Sequence, residues 1–439
     1  MSLIVWYPFT KNFNSQGIGR ITATTYSDVS LQNSNLFGTA ASFTGTSNSK
    51  IALEDFPAET CFGNTGWSIS FWCKYKNDGE RGIILGSYTN TADSKKINIE
   101  INGGTHTENN IRLYWYTGTT NVDYHSTVTL DINKWTHVCI VSTGTKIDFY
   151  KNGEFTSTTN KAITFSGVTD KFWFGTDNRG SNRLYGELND FRVYNHTLSK
   201  KEITERAKGL ILHYALKGNA IHPNTILQED DLSGNGNNGI LDGITFTTDS
   251  PRYTKSAEFD TLKKLTFNQI FHQNDQVSNL SISIWTKFTN SIANTIWNLG
   301  QNTFWRVKAY SNTQLQNLIY MGSSLVDFKL NFGQSLVTNT WYHLVLIFNE
   351  GIIKMYLNGV LADTSDKTAT GTTINCSAND TRWSLGDYTA NSEAFVGKLS
   401  DFRIYAKALT TEDVTKLYQM GGAIDNTGKF YCGELIEEQ

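Results

Sequence analysis

Gly186-Glu-Leu-Asn-Asp-Phe-Arg-Val-Tyr194 recurs as Gly397-Lys-Leu-Ser-Asp-Phe-Arg-Ile-Tyr405. The offset is 211 residues, from Asp190 to Asp401. Each copy runs on through Leu198-Ser199 or Leu409-Thr410 into an acidic, helix-prone turn. A segment this long, recurring at domain-sized spacing, marks one unit built twice. By the two-residue side-chain period of a strand, Phe191 and Val193 share one face. Asp190 and Arg192 share the other, and Asp401 and Arg403 repeat the arrangement. This pair reads either as a structural ion pair beside a turn or as a pair facing a ligand.

Working outward, the matches continue over nearly the whole chain. Leu3-Ile-Val-Trp-Tyr-Pro-Phe9 opens the first unit and Leu210-Ile-Leu-His-Tyr-Ala-Leu216 opens the second. The units therefore span 1–207 and 208–419 with almost no linker, and 420–439 form a C-terminal tail expected to make an assembly contact. Trp67-Ser-Ile-Ser-Phe-Trp-Cys-Lys74 matches Leu280-Ser-Ile-Ser-Ile-Trp-Thr-Lys287. The alternation predicts a strand half buried against a core, with Trp72 and Trp285 as core anchors. Trp135-Thr-His-Val matches Trp341-Tyr-His-Leu, and Tyr-x-Asn-Gly closes a hairpin at Gly153 and again at Gly359. Many short strands, polar turns and a single closing helix per unit predict an all-β chain of two antiparallel sandwiches.

Composition agrees. Aromatic residues make up 13% and only four residues are Pro, while Thr, Asn, Ser and Gly are abundant. A net charge of −3 with no basic patch argues against a nucleic-acid partner. Five cysteines, an odd number and unmatched between units, predict free buried thiols and folding in a reducing cytoplasm. The N-terminus has no basic region followed by an apolar run, so no signal peptide is expected. No stretch is apolar for the length a membrane helix needs, so no membrane insertion is expected.

Together these segments resemble the laminin G-like jelly rolls of the concanavalin A-like lectin/glucanase superfamily. They are the Trp-Ser-Ile-Ser-Phe-Trp strand, the paired Trp-x-His strands, the Tyr-x-Asn-Gly hairpins and the Gly-x-Leu-x-Asp-Phe-Arg close. Asp231-Leu-Ser-Gly-Asn-Gly-Asn-Asn-Gly239 adds a turn often seen near the start of such domains. The first unit departs there, with Asn12-Phe-Asn-Ser-Gln-Gly17 instead. The resemblance implies two tandem jelly rolls, each closed by a short helix. Glucanases of this superfamily carry Glu-x-Asp-x-(x)-Glu on one strand, which puts acid and nucleophile on one face. Neither unit has it, so no enzyme is expected.

His137 and His343 are equivalent, and neither has a second ligand at metal spacing, so both read as satisfied sheet histidines. Asp231, Ser233, Asn235 and Asp242 have the spacing of a calcium loop, without flanking helices and with Asp in place of the bidentate Glu. The competing reading is a loop capped by its own side chains. Calcium is the one cofactor this spacing suggests. Asp177, Asn178, Arg179, Asn182 and Arg183 precede the closing strand of the first unit, and Asp387, Tyr388 and Asn391 that of the second. With Trp173 and Trp383 beside them, these loops are candidate glycan sites. Tyr114, Trp115 and Tyr116 in a row require at least one aromatic side chain turned away from the core.

The resemblance extends to structural and decoration proteins of tailed bacteriophages. It implies a virion protein assembled in the host cytoplasm, as capsid decoration, head fibre or tail component. Expected partners are other virion proteins in an oligomeric assembly, and host or mucosal glycans. The alternative is a carbohydrate-binding adhesion module of a bacterial cell-surface protein.

Overall fold

The computed structural model describes residues 3–7, 13, 15, 23–25, 28–34, 38–62, 66–76, 80–87, 96–102, 108–116, 121–161, 171–176, 182–218, 228–233, 237–260, 263–271, 275–289, 294–300, 304–376, 383–386, 394–419, 423–424 and 430–431. The chain divides into two compact units, Met1–Lys208 and Gly209–Gln439.

In the first unit an eight-stranded antiparallel sheet has Gly66–Tyr75 near its centre, between Trp135–Thr143 and Tyr185–Tyr194. A seven-stranded antiparallel sheet runs in the order Asn121–Thr129, Asn110–Tyr116, Lys96–Ile101, Gly82–Ser87, Phe172–Phe174, Ile51–Leu53, Ala23–Thr25. One core is shared by both sheets. Trp67, Ile69 and Phe71 from the first meet Ile97, Ile99, Leu113 and Trp115 from the second. The second unit repeats the plan, with an eight-stranded sheet centred on Asn279–Phe288 and a ten-stranded sheet containing Trp305–Ala309. Both units are jelly-roll sandwiches.

The recurring Asp-Phe-Arg segment is where one strand exchanges partners. Tyr185–Leu188 pair with Gly38–Thr44, whereas Phe191–Tyr194 pair with Leu3–Tyr7. Between them Asp190 takes φ +48°, and the register against Gly66–Tyr75 slips. The second unit repeats this, with Asp401 at φ +51° between the pairings to Ser256–Phe259 and Leu210–Tyr214. Asp is among the few residues that tolerate the left-handed region, and a bulge is what turns a strand from one partner to the next.

The Ser-x-Ser strands differ from expectation. Gly66–Tyr75 and Asn279–Phe288 are buried on both faces, not one. The serines explain it. Ser68 Oγ donates to His196 O at 2.8 Å and accepts from Leu198 N at 2.9 Å. Ser281 Oγ does the same with Lys407 O and Leu409 N, at 2.7 and 3.0 Å. Each tethers the segment that leads into the closing helix, Lys200–Ala207 or Thr411–Gln419. Trp72 and Trp285 are buried as expected, but on this outer face rather than between the sheets. Trp285 stacks on Tyr418 of the closing helix, with centroids 5.7 Å apart, and packs at a tilt against His343 at 5.0 Å.

A short helix, Ala58–Phe62, was not expected in the first unit. It inserts Ala58, Cys61 and Phe62 into the core. In the tail, Ala423–Ile424 pair with Phe430–Tyr431, and the rest lies outside the described residues. Among the described residues no helix is long and apolar enough to cross a membrane.

Candidate functional site

The Asp–Arg pairs are structural. Arg192 Nε donates to Asp190 Oδ1 at 2.7 Å with the arginine buried. Asp401 gathers more partners: Arg403 Nε at 2.9 Å, Arg252 Nη1 at 2.5 Å, His213 Nε2 at 2.9 Å and Tyr253 Oη at 3.1 Å. Burial alone would raise the Asp401 pKa; the guanidiniums and His213 outweigh it and hold the carboxylate well below its usual range. Burial pushes His213 down to about 4, helped by Arg403. Among the described residues Asp401 is held by two arginines, a histidine and a tyrosine, so its carboxylate serves to balance buried charge.

His137 Nε2 and His343 Nε2 each lie 2.9 Å from a serine hydroxyl, Ser70 and Ser283, one strand away. Burial pushes His343 down to about 3, so it is a neutral ring stacked in the sheet. Among the described residues no group of three His, Cys, Asp or Glu is placed to hold a metal ion.

The Asp231 loop is capped by its own side chains. Asp231 Oδ1 accepts from the amides of His213 and Ser233, both at 3.0 Å, and Oδ2 from that of Asn237 at 3.0 Å. Ser233 is buried and Asp242 is exposed at the end of Gly239–Asp242. Asn235 lies outside the described residues.

Of the loop candidates, Asn182 and Arg183 are described. Asn182 takes φ +57° and its carbonyl accepts from Ile83 N at 2.9 Å, which pins the loop to the end of the seven-stranded sheet. Arg183 is exposed. Asp177, Asn178, Arg179, Asp387, Tyr388 and Asn391 lie outside the described residues. Trp383 is withdrawn from the second loop, because it is fully buried and packed on Phe304 and Phe267. Trp173 is not. Phe172 and Phe174 point into the core, so Trp173, between them, points to the opposite face of the sheet.

That opposite face of the first unit carries the most chemistry. Strand pairing aligns Thr24, Ala52, Trp173, Gly86, Asn98, Tyr114 and Asp123 in one row across all seven strands. Trp173 and Tyr114 stand three strands apart, about 14 Å at ordinary strand spacing. Between them lie Gly86, which has no side chain, and the amide of Asn98.

Beside the row is an ion network. Arg112 Nε and Nη2 grip Asp123 at 2.7 and 2.5 Å, and its Nη1 reaches Glu100 at 2.6 Å. Arg81 Nη2 and Asn98 Nδ2 also donate to Glu100, at 2.8 and 3.1 Å. Burial works against the charge of Arg112, but Asp123 and Glu100 more than offset it. Lys50 Nζ lies 4.8 Å from the Trp173 ring. Lys96 Nζ and Arg112 Cζ lie 5.3 and 4.9 Å from the Tyr114 ring. Tyr116, also turned away from the core, pairs with Lys96. Sequence reasoning singled out Trp173, Tyr114 and Tyr116 but missed Lys50, Asn98, Glu100 and Arg112. The signal was present, because Lys96, Asn98 and Glu100 alternate with core Ile97, Ile99 and Ile101.

The matching row of the second unit reads Ser384, Asn298, Arg306, Leu318, Asp327. Ser384 and Leu318 stand where the first unit has Trp173 and Tyr114, so the two faces are not equivalent.

Two jelly-roll sandwiches, the first with a polar, aromatic sheet face, define the class. A laminin G family profile, described as the concanavalin A-like lectin/glucanases superfamily, matches residues 44–204 and 263–415. The chain belongs to that superfamily. No curated protein matches it. Among solved structures it is similar to domain 4 of AbnA, a GH43 extracellular arabinanase from Geobacillus stearothermophilus, solved with arabinotriose. Identity is 21% over 48% of this chain and 98% of that one, with a TM-score of 0.38. The binding domain of Paraclostridial Mosquitocidal Protein 1 is 13% identical over 88% and 98% of the respective chains, at TM-score 0.38. The receptor-binding domain of botulinum neurotoxin D is 14% identical over 93% and 98%, at TM-score 0.36.

Proposed function

We propose that this chain is a non-catalytic carbohydrate-binding protein that works by display in many copies. The observation that carries this reading is the Trp173–Tyr114 row. A core does not need a tryptophan and a tyrosine on the face turned away from it. A partly exposed indole offers an apolar platform for the C–H face of a sugar, and Asn98 lies between it and Tyr114 (the loop candidates from Asp177 to Arg183 precede the closing strand). The non-catalytic part rests on the two carboxylates of this face. Glu100 is held by Arg81, Arg112 and Asn98, and Asp123 by Arg112 in bidentate fashion. Glycoside hydrolysis needs one carboxyl kept protonated and a second free to act, and paired carboxylates of this kind supply neither.

A single shallow site of this type binds weakly, because many hydroxyls are desolvated for little apolar burial. Multiple copies on one particle recover affinity through effective concentration. The setting proposed is the virion of a tailed phage, as decoration, head fibre or tail component docked to other virion proteins. Cys61, Cys73, Cys139 and Cys376 support manufacture in a reducing cytoplasm, being buried and in no disulfide. The test is proteomics of purified particles joined to an adhesion assay on glycan-coated surfaces. Particles carrying the protein should adhere, and those with Trp173→Ala, or with Asp177→Ala and Arg183→Ala, should adhere less at unchanged melting temperature. Recovery of the protein from a bacterial envelope instead of particles would replace the virion setting with a cell-surface adhesion module. Equal adhesion without the protein would reject the binding role.

A further inference from the structure

We infer that one end of the second unit, beside its closing helix, is a docking surface for the C-terminal tail of a second copy of this chain. The repeat supplies the comparison that points to it. At this end the first unit is charged. Lys151 Nζ lies 3.8 Å from Asp131 Oδ1, and Lys151 is in register with Glu154 across the hairpin. Lys200 of the closing helix binds Glu154 in turn, at 2.9 Å. Aligning the Trp-x-His strands and the Asn-Gly hairpins puts Val337, Leu357 and Val360 at the positions of Asp131, Lys151 and Glu154. Thr411 stands at the position of Lys200. All four charged residues are replaced in the second unit, three of them by apolar side chains.

The replacement leaves apolar surface in water. Leu357 is buried and in register with Val360, which is 69% exposed, and Val337 is 60% exposed. Leu361 on the same hairpin is exposed too, but so is Phe155 at that position in the first unit, so the difference lies in Val337 and Val360. The fold does not require valine there, because the first unit carries acids at both positions. Apolar side chains gathered where the same fold otherwise holds ion pairs mark a surface that a partner covers.

The occupant follows from what else the second unit has and the first lacks. The closing helix of the first unit ends at Ala207 and the next strand begins at Leu210. That of the second is followed by Met420–Gln439, which carries Ile424, Phe430, Tyr431, Leu435 and Ile436. In this tail Ala423–Ile424 pair with Phe430–Tyr431, and a two-stranded hairpin standing alone is marginal in water. It needs an apolar support. Within a single chain Val337 and Val360 stay exposed with that hairpin present, so the tail that covers them comes from another copy. The tail also leaves its unit beside this surface. Tyr418, in the last turn of the closing helix, packs on Gly359, where a Cβ would meet its Cδ1 at 3.0 Å. Two copies exchanging tails therefore satisfy both surfaces at once and close the assembly as a dimer.

The test measures mass in solution by analytical ultracentrifugation, for the full chain and for two variants. One variant is truncated after Gln419 and keeps the surface without the tail. The other is full length with Val337→Asp and Val360→Glu, and keeps the tail while taking the first unit's acids on the surface. The full chain should form a dimer that dissociates on dilution. Each variant alone should be a monomer, folded by circular dichroism, and the two mixed in equal amounts should associate with each other. Val337→Ser with Val360→Ser should weaken the dimer of the full chain in the same direction. A full chain that is monomeric at every concentration overturns the inference, including the case in which each tail packs on its own unit. A truncated chain that dimerises by itself overturns it as well, because the tail is then not the occupant. So does a dimer that survives Val337→Asp with Val360→Glu, or a mixture of the two variants that stays monomeric, because the contact then lies elsewhere.

Discussion

Asp401 and Arg403, two residues apart on one strand, are joined at 2.9 Å with both side chains only 2% exposed. Asp190 and Arg192 repeat the bond in the first unit at 2.7 Å, with the aspartate 14% exposed. In each unit the pair sits on the bulge where the closing strand exchanges partners. The carboxylate that permits the left-handed turn also neutralises the guanidinium that the turn buries.

Removing the carboxylate should therefore cost more in the second unit than in the first. Asp401→Ala strands Arg403 and Arg252, and loss of one member of a buried pair costs about 3–5 kcal/mol. Asp190→Ala should cost less, because water reaches that site. Chemical denaturation of both variants checks this, and an Asp401→Ala loss below about 1 kcal/mol would show the pair to be dispensable.

Trp72 and Trp285 should each be worth about 3–5 kcal/mol on truncation to Ala. The structure adds a reason. Trp285 is the surface on which Tyr418 and its helix pack, so Trp285→Ala should also free the Thr411–Gln419 helix to exchange its amides faster. Unchanged hydrogen exchange there would separate the helix from the tryptophan.

Glu229 gives the second unit a pH dependence. Its carboxylate is buried and accepts from Leu216 N at 2.6 Å, and burial pushes its pKa up to about 7. The folded state thus binds a proton that the unfolded state has released. Its contribution to stability falls as pH rises from about 4.5 to about 7, by at most about 1.4 kcal/mol per pH unit. His213 and His343 act oppositely, since both stay neutral when folded and favour unfolding as pH falls below about 6.5. The comparison with Glu229→Gln isolates the carboxylate, because the amide oxygen can still accept from Leu216. The variant should be more stable than the parent above pH 7 and lose that advantage towards pH 4.5. A difference that stays flat with pH would place a charged Glu229 in both states.

Each unit holds its own core, so residues 1–207 expressed alone should melt cooperatively. A molten or aggregated product would mean that the first sandwich needs the second.

Much of this was legible because repetition doubled the signal. The Asp-Phe-Arg close, the Ser-x-Ser strands and the Asn-Gly hairpins located the strands and the unit boundary. Periodicity could not show that Asp190 and Asp401 adopt positive φ, since a bulge breaks the very alternation being read. It also could not show that Ser68 and Ser281 bind the backbone before the closing helix, because that contact spans some 130 residues. Trp383 was misplaced beside a binding loop although its own alternation with Ser384 and Leu385 puts it in the core, opposite in phase to Trp173. The Glu100–Arg112–Asp123 network needed strand register, which no single strand contains.

The most direct test of the carbohydrate-binding account is a glycan titration of the full chain displayed at high density, parent against Trp173→Ala. The account predicts saturable binding by the parent and its loss in the variant, with both proteins melting at the same temperature. Binding that survives Trp173→Ala unchanged, or a parent that binds no glycan at any density, would contradict it.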